Sequence, residues 1–176
     1  MRKLTKLIQA QVLEFSELTK LEQNLLLLAA QVRLNAQAPY SHYWVGAAIL
    51  SAKGTINLGC NVERCSWTQT THAEENAIDS MIAEDGSTKI SVVAIVAGPE
   101  GSRVAFPPKK IENPISRIEE VPVPCGQCLQ VIWENCRQDP TVKLLSLAAN
   151  GEILRTTIGD AFPMRFGPED LGVKYE

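Results

Sequence analysis

The stretch ISVVAIVAG, residues 90–98, carries no charged side chain, and five of its nine residues are isoleucine or valine. A strand with one face in water alternates apolar and polar residues; a run that does not alternate predicts a strand covered on both faces. Other strand-like runs surround it. WVGAAIL (44–50) and TINLGCNVE (55–63), joined by SAKG, read as a hairpin. VKLLSLAA (142–149) and ILRTTI (153–158) are separated by Asn150-Gly151, a hairpin-type turn.

Helical patterns alternate with these strands. Residues 17–36 place Leu18, Leu21, Leu25, Leu28, Ala29 and Val32 at the spacing of an amphipathic helix, and Pro39 stops it. Thr71 to about Ala83 is a second helix with Gly86 as its terminator, and Gly126 to about Cys136 is a third, opened by Pro124. Strands alternating with helices predict an α/β sandwich around a sheet of about five strands. The 176 residues suit one domain, 1–176, able to bury about two thirds of the surface the unfolded chain exposes.

Two segments stand outside this alternation. Residues 1–37 read as an N-terminal helical region, because Leu4, Leu7, Ile8, Val12 and Phe15 form a shorter amphipathic pattern ahead of the main helix. That pattern fits a packing arm and an oligomer contact equally. Residues 99–123 hold five prolines and no sustained period. Connections longer than about 15 residues are uncommon inside compact domains and serve as lids, binding loops or solvated inserts; those readings stay open.

A net charge of −3 argues against a nucleic-acid partner, which calls for a basic stripe. The start MRKLTKLIQAQVLEF is too polar for a signal peptide, and LLLLAAQV (25–32) is far short of the roughly 20 residues that span a bilayer, so no membrane is expected. Five cysteines, an odd number, fit thiols kept reduced in the cytoplasm better than a disulfide framework.

The chemistry lies in two short motifs. Residues 71–74 read Thr-His-Ala-Glu, and residues 124–128 read Pro-Cys-Gly-Gln-Cys, in a chain with only two histidines. Catalytic zinc takes three protein ligands and leaves a fourth position open; His72, Cys125 and Cys128 meet that count. Cys125 and Cys128 share one face at a helix start, where the positive end of the helix favours thiolate. Glu74, two residues past the histidine, is placed to move protons rather than to bind metal, and zinc lowers the pKa of a bound water to about 7.

Each half has a plainer reading. Thr71 and Glu74 fit a capping box, Cys125 and Cys128 fit a redox pair, and a lone histidine is more often structural. A structural zinc site wants a fourth ligand, for which only Cys60, Cys65, Cys136 and His42 remain, at unpatterned spacing. Histidine, carboxylate, proline and cysteine pair, in that order, favour the catalytic arrangement.

His-x-Glu followed by Pro-Cys-x-x-Cys is the signature of zinc nucleobase deaminases, and the sequence resembles the cytidine deaminase family from about Ala38 to Val173. APYSHYWVGAAIL (38–50) is similar to the family's opening strand and GCNVE (59–63) to its ribose-recognition segment. THAEENAI (71–78) and PCGQCLQVI (124–132) resemble its two zinc helices, and FGPEDL (166–171) its closing motif. The resemblance implies a three-layer α/β/α sandwich with a mixed sheet. It implies that His72, Cys125 and Cys128 bind Zn²⁺ and that Glu74 is the proton shuttle. By the same resemblance Asn61 and Glu63 bind the sugar, Tyr43 packs near the nucleoside, the Ala73 backbone contacts the pyrimidine, and Phe166 reaches the base from a neighbouring subunit or domain, of which a chain with one catalytic unit leaves the subunit. A homodimer or homotetramer with shared active sites follows from that last assignment.

The departures are specific. Many relatives use three cysteines and place arginine after the catalytic glutamate, where this chain has Glu75; Leu129 also stands where arginine is usual. Three thiolates around Zn²⁺ leave a net −1 for an arginine to offset, whereas His72 with two thiolates leaves the centre neutral. The expected activity is hydrolytic deamination of cytidine and deoxycytidine to the uridine product and ammonia, in pyrimidine salvage. The alternatives are a modified cytidine or an aminopyrimidine nucleoside antibiotic as substrate, or a non-catalytic zinc-stabilised assembly subunit.

Overall fold

A computed structural model describes residues 2–102, 114–117, 120–148 and 150–173. Its elements run β1 (Ala10–Leu13), α1 (Lys20–Val32), β2 (Tyr43–Ser51), β3 (Ile56–Cys60), α2 (Ala73–Asp85), β4 (Ile90–Pro99), α3 (Gly126–Asn135), β5 (Lys143–Leu147), β6 (Ile153–Thr157) and a short α4 (Ile158–Ala161). The sheet has the order β1-β6-β5-β4-β2-β3. Only β4 and β5 are parallel, joined through α3; the other neighbours are antiparallel, so the sheet is mixed.

Residue alternation explains the three layers. Ala47, Ile49, Val93, Ile95 and Leu144 face α2 and α3, packing on Ala73, Ala77, Ile78, Met81, Leu129, Ile132 and Trp133. Their neighbours Ala48, Ala94, Val96, Leu145 and Leu147 face the other way, onto Leu25, Leu26 and Ala29 of α1. The unbroken apolar run of β4 is thus covered on both faces, as its composition requires.

Close approach of helix to sheet depends on two glycines. A Cβ on Gly59 of β3 would fall 2.3 Å from the Ala73 carbonyl oxygen and 2.4 Å from the Ala77 nitrogen. A Cβ on Gly46 of β2 would fall 2.1 Å from the Ala29 carbonyl oxygen. No larger residue lets α2 and α1 lie this close.

Two expectations are corrected. The sheet has six strands rather than about five, and the sixth comes from the segment read as helical: Ala10–Leu13 pairs antiparallel with Ile153–Thr156. Pairing with the free edge of β6 overrides the helical spacing, and Arg155 fastens the strand by donating from Nε (3.0 Å) and Nη2 (2.8 Å) to Gln11 Oε1. Glu22 and Arg33, which flank the apolar run of α1 in sequence, are buried. Glu22 caps α1 through Thr19 and meets Lys143 Nζ at 3.2 Å. Arg33 donates to the carbonyls of Trp44 (3.0 Å), Pro99 (2.9 Å) and Ser102 (2.9 Å), fixing the root of the proline-rich segment. Most of that segment, 103–113 with 118–119, lies outside the described residues.

Candidate active site

The path to the site begins at the end of β3. Residues 61–63 are bracketed by main-chain pairing with Gln37 on one side and Thr71 on the other. Thr71 exchanges both backbone hydrogen bonds with Val62, at 2.9 and 3.0 Å. His72 follows as the N-cap of α2, with Cys125 as the N-cap of α3 and Cys128 one turn further in.

The cap of α2 is not the one the Thr71-x-x-Glu74 spacing offers. Glu75 accepts from the His72 N–H at 3.2 Å, while Thr71 is committed to Val62. Glu74 is left without a capping role.

Nδ1 of His72 lies 3.2 Å from Cys128 Sγ and 3.4 Å from Cys125 Sγ, and the two sulfurs are 3.6 Å apart. A tetrahedral zinc with bonds of about 2.1 Å to nitrogen and 2.3 Å to sulfur has ligand-to-ligand edges of about 3.6–3.8 Å, so the donors are within a few tenths of an ångström of that shape. They are also the only such group of three among the described residues. A bonded cysteine pair would need sulfurs about 2.05 Å apart, and both thiols are free.

The electrostatics ask for a cation. Burial pushes the Cys128 thiol up, and Glu74 and Cys125 push it further. A metal held here would supply the positive charge that makes the thiolate the favoured form. Burial likewise pushes the Glu74 carboxyl up, against its own backbone N–H, the Cys128 thiol and nearby His72.

His72, Cys125, Glu74, Ala73, Asn61, Glu63 and Tyr43 all line one cavity of about 590 Å³. Cys128, only 1% exposed, is not on the wall itself and reaches the site through its sulfur, against His72 and Cys125. Asn61 Oδ1 accepts from the Val45 N–H and its Nδ2 donates to the Tyr43 carbonyl, both at 2.9 Å, bracing the start of β2. Glu63 accepts from the N–H groups of Tyr40 (2.9 Å) and Ser41 (3.1 Å) and from the Ser41 hydroxyl. Burial opposes its ionisation, yet the donors of Ser41 and Tyr40, with His42 nearby, hold its carboxyl below the usual range. A fixed carboxylate in a concave site suits hydroxyl donors.

Phe166 does not join this cavity. It is 56% exposed beside α3, where Gln130 Nε2 donates to its carbonyl at 3.1 Å. The other cysteine and histidine candidates are elsewhere: His42 meets Glu100 at the surface, and Cys136 is buried at the far end of α3, its thiol pushed up to about 11 by burial. Sequence reasoning missed Ser41, Trp67, Thr70, Pro122 and Val123 on the cavity wall. Only Ser41 carried a signal, as a hydroxyl beside the expected opening strand.

A three-layer sandwich that sets one imidazole and two thiols at two helix starts, with a buried carboxyl beside them, defines a zinc-dependent deaminase scaffold. The family described as the cytidine and deoxycytidylate deaminase zinc-binding region matches residues 19–142. The chain is 34% identical over 154 residues to a cytidine deaminase of Sporosarcina psychrophila, covering 88% of this chain and 97% of the relative. It is 33% identical to one of Halalkalibacterium halodurans, covering 85% and 96%. Among solved structures, a cytidine deaminase from Burkholderia pseudomallei superposes with a TM-score of 0.64 at 30% identity, over 85% of this chain and all of the other. One from Mycobacterium tuberculosis gives 0.58 at 28% identity, over 82% and 95%. The chain belongs to the cytidine and deoxycytidylate deaminase family, and it carries that family's zinc-binding region.

Proposed function

We propose that the chain hydrolyses the exocyclic amine of cytidine and deoxycytidine, giving the uridine product and ammonia, as a cytoplasmic enzyme of pyrimidine salvage. The observation that carries this reading is Glu74: a buried carboxyl with no capping task, on the wall of a 590 Å³ cavity beside the three metal donors.

His72, Cys125 and Cys128 would hold zinc, which supplies a Lewis acid that lowers the pKa of water at neutral pH. Glu74 accepts a proton from the attacking water and delivers it to N3 as oxygen bonds to C4. The carboxylate then takes the remaining proton from the new C4 hydroxyl and passes it to the amine, so that the C4–N bond breaks and ammonia leaves as the C4 carbonyl forms. Burial, which raises the Glu74 pKa, suits a group that must both take and give a proton. Glu63 and Asn61 would receive the sugar, with Ser41 and the backbone of residues 40–41 holding the carboxylate in place. Tyr43 would pack against the nucleoside, and the Ala73 backbone would meet the pyrimidine.

Phe166 is exposed and does not line its own cavity, and Met164 and Leu171 near it in sequence are 92% and 71% exposed. This apolar surface supports a homodimer or homotetramer in which Phe166 completes a neighbour's site. No helix among the described residues is long and apolar enough to cross a membrane.

The test is a panel of cytidine, deoxycytidine, cytosine and deoxycytidylate offered to zinc-replete protein, with product and ammonia both measured. Equimolar uridine and ammonia from cytidine is the expected result. Zinc-loaded protein that leaves every cytosine nucleoside intact would overturn the reading.

A further inference from the structure

Capping α2 occupies one oxygen of Glu75, and neither its second oxygen nor Gln127 is absorbed by the roles above. The Glu75 carboxylate is divided between two helices: Oε2 accepts from the His72 N–H at 3.2 Å, and Oε1 accepts from Gln127 Nε2 at 2.7 Å. Gln127 lies between Cys125 and Cys128 in the first turn of α3. One carboxylate therefore ties the backbone of the histidine donor to the turn that carries both sulfur donors.

Capping α2 uses only one of the two oxygens. The second is committed across the gap between the helices. Deeper down, α2 and α3 meet through Ala77, Ile78, Leu129, Ile132 and Trp133, an apolar contact that is strong but non-directional. Such a contact allows a slide of a few tenths of an ångström, which is the margin that matters where donor atoms stand 3.2–3.6 Å apart. A hydrogen bond fixes direction and length where packing does not.

We propose that Glu75 and Gln127 form a clamp that sets the separation of His72 from Cys125 and Cys128, making them positioning residues for the metal site. The inference rests on the zinc-site reading above, and it gives a structural use to the residue standing where many relatives have arginine. The clamp slows metal loss by keeping the three donors converged, and it acts without touching the metal.

The test is the rate at which zinc-loaded protein gives up metal to an excess of a chromogenic chelator, with zinc content measured beforehand. Gln127→Ala, a change at an exposed side chain that leaves the helix cap intact, is expected to speed release about threefold to tenfold, the worth of one hydrogen bond. Glu75→Ala is expected to speed it at least as much. Because the two residues share one bond, the double variant should release zinc no faster than Glu75→Ala alone. Glu75→Gln, which keeps an acceptor for the His72 N–H and can pair with a turned Gln127 amide, should recover most of the loss. Release from Gln127→Ala at the wild-type rate, or single effects that multiply in the double variant, would overturn the clamp. A wild type that binds no zinc would instead overturn the site reading on which the clamp depends.

Discussion

Glu74 and Glu75 are adjacent in sequence and diverge in space: Glu74 is 5% exposed on the cavity wall, while Glu75 hydrogen-bonds the His72 N–H and the Gln127 amide. The first turn of α2 allows this because successive side chains project about 100° apart. One carboxylate secures the helix start, and the other is released to face the cavity.

Gly59→Ala should move α2. The added methyl would sit 2.3 Å from the Ala73 carbonyl oxygen, one residue from both His72 and Glu74. Loss of about 2–3 kcal/mol of stability is expected, with weaker zinc retention; a melting curve and a zinc assay check both.

Glu63→Gln should separate binding from chemistry. The carboxylate already gathers donors from Tyr40 and Ser41, and hydrogen bonds to a charged group are worth about 1.5–3 kcal/mol. KM for cytidine should rise about tenfold to a hundredfold with kcat little changed, while turnover of free cytosine, which has no sugar, is unaffected. Steady-state kinetics on the two substrates decides it.

Asp139, in the turn from α3 to β5, gives a pH signature. The Thr141 hydroxyl (2.6 Å), Lys89 Nζ (2.9 Å) and the Thr141 N–H (3.0 Å) hold its carboxyl at about 2, below the ordinary 3.8. A depressed folded pKa contributes stability above the unfolded value and loses it as pH falls through the folded one. Asp139→Asn should therefore be less stable by about 1 kcal/mol at neutral pH, a figure reduced for solvent screening of a pair about one third exposed. Below about pH 2 the difference should vanish, as denaturant titrations across that range would reveal.

Phe166→Ala and Glu74→Gln should complement each other. Each variant alone is expected to be nearly inactive, but mixed oligomers contain sites with an intact Glu74 and a neighbour's intact Phe166. Co-refolded mixtures should regain about a quarter of wild-type activity if subunits combine at random and each site needs both residues, since independent intact halves multiply. Mixtures as inactive as the separate variants would place Phe166 outside the shared site.

Much of this was legible in the sequence, for identifiable reasons. The non-alternating run of β4 announced a doubly covered strand, and the His72, Glu74, Cys125 and Cys128 pattern is local enough to read from spacing. What spacing could not show is pairing across the chain: Ala10–Leu13 becomes a strand only because β6 offers a free edge. Likewise the capping partner of α2 is Glu75 rather than Glu74, because Thr71 is drawn into pairing with Val62. Phe166 was expected at the base of a neighbour's site, and only coordinates could show that it does not line the cavity of its own chain.

The most direct measurement is uridine formation by wild type and by Glu74→Gln, each with its zinc content determined. The account predicts that both hold one zinc per chain and that the variant loses about a hundredfold to ten-thousandfold in kcat, the range for a positioned acid–base group. A zinc-loaded Glu74→Gln protein that turns over cytidine at the wild-type rate would contradict it.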